Sequence, residues 1–129
     1  MLNHITLMGR LTRDPELRYT QSQTLVASFT IAVDRDFGGG GDRQTDFIDC
    51  VAWRNTAEFV HTYFAKGSMA AVSGRLQSRR WEDRDGNKRV NWEILVDNIY
   101  FADTKRSVEA QTYKPQLVEV DGDDGDLPF

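Results

Sequence analysis

Five stretches of this chain alternate apolar and polar residues with a period of two, and one helical stretch separates the third from the fourth. A period of two buries one face of a strand and leaves the other wet. In the first stretch Ile5, Leu7 and Leu11 share a side with Gly9, where a bend or bulge is expected. In the second, Leu25, Ala27, Phe29, Ile31 and Val33 lie on one side, with Ser28, Thr30 and Asp34 on the other. The third is TDFIDCVAW, residues 45–53. Asn55 and Glu58 then have capping-box spacing, Phe59, Val60, Tyr63 and Phe64 form an apolar helical face, and Gly67 is a natural stop. Two long strands follow, about 69–82 and 89–101, turning through Asp85-Gly86.

Three strands, a helix and two strands is the layout of an OB-fold, a five-stranded Greek-key barrel with its helix between strands 3 and 4. The expected fold class is therefore all-β. The alternation stops at Ser107, which divides the chain into a 1–106 barrel domain, a short 107–120 linker and a 121–129 acidic tip. Charge follows the same division. Residues 1–106 carry 15 Lys/Arg against 14 Asp/Glu, whereas residues 107–129 carry one Lys against six acids. A near-neutral body can still hold a basic groove if its charges are segregated. With a single cysteine, no basic-then-apolar leader and no apolar run of membrane length, an intracellular, cytoplasmic protein is expected.

The two faces of the strands differ in chemistry. In the third strand Ile48, Cys50 and Ala52 suit a core, while Phe47, Asp49, Val51 and Trp53 face the other way. In the fourth, Ala70, Val72, Gly74 and Leu76 point inward and Arg75, Gln77, Arg79 and Trp81 outward. Rings can stack on any nucleobase without reading its identity, and adjacent arginines can neutralise phosphates. The same rings could instead pack against a second layer or a neighbouring subunit. Their recurrence with arginines on strands that would be neighbours in a barrel favours binding.

No catalytic centre or cofactor site is expected. His4 and His61 have no acidic or cysteine partners at ligand spacing, so no metal is expected there, and Cys50 reads as core. The glycines at 38–41 lack the Lys-Ser/Thr of a phosphate loop; they suit a hairpin loop with Arg35 and Phe37 at its base and Arg43 beyond. Neither 83–87 nor 121–126 places glycine where a calcium loop needs it. The ending DGDDGDLPF can form neither helix nor strand. It is either a solubilising end or a short linear motif presented to another protein.

Four stretches carry a family resemblance: LMGRLTRDPELRYT (7–20), DFIDCVAWRNTAEF (46–59), KGSMAAVSGRLQSRRWEDRDGNKR (66–89) and the terminal DLPF. Through these the chain resembles the bacterial single-stranded DNA-binding proteins over essentially its whole length. The resemblance implies an OB-fold, assembled as a homotetramer, that coats exposed single strands in replication, recombination and repair. It implies base stacking by Phe47, Trp53 and Trp81, with Phe37 as a further ring in a variable loop. Lys66 and Arg89 match basic positions near phosphate. Arg75 and Arg79 join them through the strand-face pattern, and Arg10 and Arg35 complete the basic set. Asn55 stands where some relatives have lysine, with Arg54 substituting from next door, and His4 stands where Lys or Arg is common, which would make that contact pH-dependent. Trp92 shares parity with Ile94 and Val96 and is expected in the core.

The resemblance also favours the motif reading of the tail, as a docking peptide for replication and repair proteins. Phe129 would fill an apolar pocket and its α-carboxylate pair with a basic residue, with Leu127 beside it. Pro128 would stiffen the peptide, and Asp123, Asp124 and Asp126 would meet a basic rim. The linker is short for the family, so residues 107–129 reach only about 25 Å r.m.s.. Weaker clustering on long DNA is expected than with a long linker; equal clustering after a long Gly-rich linker is swapped in would contradict this. An RNA-binding OB protein, or an oligomeric adaptor using the tail alone, are the competing readings.

Overall fold

The computed structural model describes residues 1–36 and 44–103. Its elements are β1 (Ile5–Leu11), β2 (Glu16–Tyr19), β3 (Leu25–Asp34), β4 (Thr45–Trp53), α1 (Arg54–Tyr63), β5 (Met69–Glu82) and β6 (Lys88–Phe101). The strands form one sheet in the order β1-β5-β6-β4-β3-β2, and β1 also pairs with β3, which closes the sheet into a barrel. All pairings are antiparallel except β4 with β6, where Asp49, Cys50 and Val51 lie beside Glu93, Ile94 and Leu95. This is the expected OB-fold, with β2 as an added edge strand. Its four residues alternate too briefly to register in the sequence; pairing with β3, from Glu16 beside Ser28 to Tyr19 beside Leu25, holds them extended.

Phe29, Ile31, Cys50, Ala52, Val60, Val72, Ile94 and Ile99 are all but fully buried at the centre. Leu25, Val33, Ile5, Leu7 and Ile48 pack half-buried around them, so the apolar sides of the first three expected strands do face the core. At Gly9, β1 passes from its pairing with β5 to its pairing with β3, and a Cβ there would lie 2.6 Å from the Ala32 carbonyl oxygen. Helix α1 covers one end of the barrel through Ala57 and Val60, and the ring of Phe64, just past its end, stacks on Phe101 at 4.7 Å.

The helix start departs from the expected capping box. Trp53 occupies the cap position with extended backbone and no side-chain cap bond. β4 runs into α1 without a loop, and Arg54 makes the corner in the left-handed region, with φ 55°.

Two expected core residues are outside it. Leu76 is 36 % exposed and Trp92 is 60 % exposed. Their parity is inward, as read from the sequence, but β5 and β6 continue beyond the barrel as a two-stranded arm whose residues have no second layer beneath them. The arm's tip is tied by Asp83, which accepts from the Asn87 and Asp85 N–H groups at 2.9 and 3.0 Å and from Arg89 Nε at 3.0 Å.

A register shift at Ser73–Gly74 puts Gly74 beside Val96, the point where the arm leaves the barrel. A Cβ on Gly74 would lie 2.1 Å from the Leu95 carbonyl oxygen, a backbone atom with nowhere to move. Gly74→Ala is expected to destabilise the fold by about 3 kcal/mol, the upper part of the overpacking range, measured as a lower urea midpoint. An unchanged midpoint would show that the two strands can separate there at no cost.

Candidate nucleic-acid interface

The strand registers lay the outward positions of five strands into one surface. Arg18 and Glu16 of β2 lie beside Val26, which is itself buried, and Ser28 of β3, and Ser28, Thr30 and Ala32 lie beside Val51, Asp49 and Phe47 of β4. Asp49 and Val51 neighbour Glu93 and Leu95 of β6, and those neighbour Gln77 and Arg75 of β5. Arg79 and Trp81 continue the same side along the arm, with Trp81 opposite Arg89.

Three rings stand on this surface. Phe47 is 67 % exposed, Trp53 40 % and Trp81 44 %. Phe47 and Trp53 lie six residues apart on one side of β4, about 20 Å at strand rise. Trp53 borders an open depression of about 400 Å³ with Arg54, Gln77, Leu95, Val96 and Asp97. Exposed rings of this size, fixed on strands rather than loops, offer flat apolar area at little ordering cost.

The basic residues fall into two groups. Arg54, Arg75 and Arg79 are exposed, and among the described residues their side chains make no ion pair, so their donors are available to phosphate. Arg54 stands beside Trp53 in the open depression. Arg10, Arg35 and Arg89 are committed to the fold in part or in full. Arg10 donates to the Gly67 carbonyl at 2.8 Å and pairs at 3.3 Å with Asp103, whose side chain is only 4 % exposed. Arg35 donates through Nε and Nη2 to both oxygens of Asp46 at 3.0 Å and through Nη1 to Gln44 at 2.7 Å. That fork clamps the base of the β3–β4 connection; the Arg35 hydrogen bond holds the Asp46 carboxyl below its ordinary range. Arg89 spends Nε on Asp83, whose pKa is lowered first by the Asn87 backbone N–H and further by Arg89. Arg89 is the register partner of Trp81 across the arm. Lys66 is exposed in the α1–β5 connection, its backbone N–H held by Asp14 at 2.8 Å.

Phe37, Arg43 and the docking residues Asp123, Asp124, Asp126, Leu127, Pro128 and Phe129 lie outside the described residues, as does the 107–120 linker. His4 and His61 are exposed, and His4 Nε2 lies 3.1 Å from the Thr6 hydroxyl. Cys50 is buried beneath the sheet, and its thiol pKa is pushed up to about 12, chiefly by burial and further by the Asp49 and Glu93 charges.

Sequence reasoning missed part of this surface. Arg13, Arg18 and Glu16 flank a polar depression between β2 and β4 that also reaches Glu93 and Arg79. The signal was present in ELRY, residues 16–19, whose Glu and Arg alternate with Leu17 and Tyr19. Four residues of alternation were too few to separate from a loop.

Comparison with known proteins gives the chain a family. The model of the Single-strand binding protein family matches residues 2–102. The chain is 46 % identical over 114 residues to Single-stranded DNA-binding protein 2 of Listeria monocytogenes, covering 87 % of this chain and 71 % of that protein. It is 48 % identical over 112 residues to the Single-stranded DNA-binding protein of Oceanobacillus iheyensis, covering 86 % and 70 %. With that of Staphylococcus aureus strain N315 it shares 46 % identity over 125 residues, covering 95 % and 80 %. A barrel with exposed rings on one face and a family match across the whole of that barrel lead to one conclusion: the chain belongs to the single-strand binding protein family.

Proposed function

We propose that this protein coats single-stranded DNA, laying the strand over the outward face of β2, β3, β4, β6 and β5. The observation that carries this is the set of three exposed rings, Phe47, Trp53 and Trp81, on one continuous sheet surface that also presents Arg75 and Arg79. Bases stack on the rings while Arg54, Arg75, Arg79, Arg89 and Lys66 meet phosphates. Duplex DNA cannot use the surface, because its bases are already stacked on one another. The protein binds and protects the strand in replication, recombination and repair and carries out no chemistry on it.

The assembly is a homotetramer in the cytoplasm. Leu76, Val90 and Trp92 support self-association: the register places them together on the arm's other side, and all three are exposed. The acidic segment 121–129 recruits genome-maintenance proteins through Phe129 and the aspartates before it. No helix among the described residues is long and apolar enough to cross a membrane.

Equilibrium binding of oligo(dT), oligo(rU) and a duplex of equal length tests the reading. Oligo(dT) is expected to bind tightest and the duplex weakest. With five cations on phosphate, the slope of log K against log salt should be about −3.5. Absent dT binding, or duplex binding as tight as dT, would overturn the proposal. Deleting residues 121–129 should leave dT binding in place while abolishing capture of a replication or repair partner.

A further inference from the structure

Phe47 stands where the sheet runs out of neighbours. Among the described residues β4 pairs with β6 only from Asp49 to Val51, and β3 pairs with β1 only at Ile31 and Ala32. From Val33 and Asp46 outward the two strands have only each other, ending with Asp34 beside Thr45. A two-stranded extension is marginal in water, so a ring at its root is only as fixed as the extension itself. The register neighbour of Phe47 is Ala32, which sets one methyl group beside a ring that is 67 % exposed.

Side chains tie the extension from both sides. On the Phe47 side, the Thr45 hydroxyl donates to Asp34 at 2.7 Å. On the reverse, Asp46 lies beside Val33, which packs on the core, and there it takes both prongs of the Arg35 fork. All three guanidinium nitrogens of Arg35 donate within this hairpin, to Asp46 and Gln44, and its backbone N–H donates to the Gln44 carbonyl at 2.9 Å. An arginine spent in this way behind the ring is not offered to the phosphates of a strand stacked in front of it. Exposed ion pairs add little stability, but a two-pronged fork fixes geometry.

We propose that Arg35 and Asp46 are positioning residues for Phe47; the inference rests on the reading that single-stranded DNA lies over the rings. The fork holds the end of the hairpin from behind, so the ring in front meets a base without first having to be ordered. Arg35 acts on DNA through Phe47 and not through its charge.

The two roles open to this arginine predict opposite signs for Asp46→Asn in the full-length protein. If Arg35 met a phosphate, freeing it would tighten oligo(dT) binding and steepen the salt dependence by about 0.7. As a positioning residue it loses its anchor, and binding is expected to weaken about threefold with the salt slope unchanged. Arg35→Gln should weaken binding similarly, again without changing the slope. Phe47→Ala should weaken binding about fivefold or more, the loss of one stacked base, and in that background Asp46→Asn should have no further effect. Unchanged or tighter binding by Asp46→Asn, a changed salt slope, or a loss that persists in the Phe47→Ala background overturns the inference. Unchanged binding by Phe47→Ala overturns instead the reading that DNA lies over this ring, and the inference falls with it.

Discussion

Replacing Trp53 and Trp81 together by alanine is expected to weaken oligo(dT) binding by at least about thirtyfold without loosening the fold. Each base stacked on a ring contributes roughly 1–3 kcal/mol, so two rings account for about 2–6 kcal/mol. Both side chains are substantially exposed, at 40 % and 44 %, and neither belongs to the buried core. Thermal unfolding should therefore change little while the dissociation constant rises. Equal affinity in the double variant would mean that the rings serve another purpose, such as contact between copies of the chain. The arginines provide an independent check: Arg75→Ala and Arg79→Ala should reduce the steepness of the salt dependence, whereas loss of the rings should not.

Phe29→Ala is expected to act in the opposite way, through stability. Phe29 is 1 % exposed at the middle of β3, beside Cys50 of β4, and is the largest of the fully buried side chains. Emptying such a site costs about 3–5 kcal/mol in lost transfer energy and residual cavity. Against a typical total of about 5–15 kcal/mol, that removes much of the margin. The urea midpoint should fall sharply at matched protein concentration. A change under about 1 kcal/mol would show that the barrel collapses around the gap, or that β3 packs less tightly than its burial shows.

These two outcomes divide along the alternation of β3 and β4, and that division was legible in the sequence. Phe47, Trp53 and Trp81 alternate with Cys50, Ala52 and Val72-type neighbours at period two, and period two alone assigns a side. Alternation assigns a side without saying whether anything lies beneath it. Leu76 and Trp92 have inward parity yet are exposed, because β5 and β6 outrun the barrel. Strand length relative to the layer that covers it is a tertiary fact. The capping box failed for a related reason: Asn55 and Glu58 have the right spacing, but β4 feeds the helix directly and Trp53 takes the cap position.

Charge was the least legible property. Arg10, Arg35 and Arg89 look alike in the sequence, as free cations. In the structure Arg35 is clamped by Asp46 and Gln44, Arg10 by Asp103 and Gly67, and Arg89 in part by Asp83. The side chains of Arg54, Arg75 and Arg79 make no ion pair among the described residues. Separations of 93 residues, as between Arg10 and Asp103, are invisible to any local pattern.

The central claim is that a single strand of DNA lies across the outward face of the sheet, over Phe47, Trp53 and Trp81. Photocrosslinking of an iodouracil-bearing dT oligomer, followed by mass-spectrometric mapping of the modified residues, addresses it most directly. Adducts on Phe47, Trp53 and Trp81 are predicted, with helix α1 and the Leu76, Val90 and Trp92 side of the arm unmodified. Adducts confined to α1 or to that opposite side would contradict it.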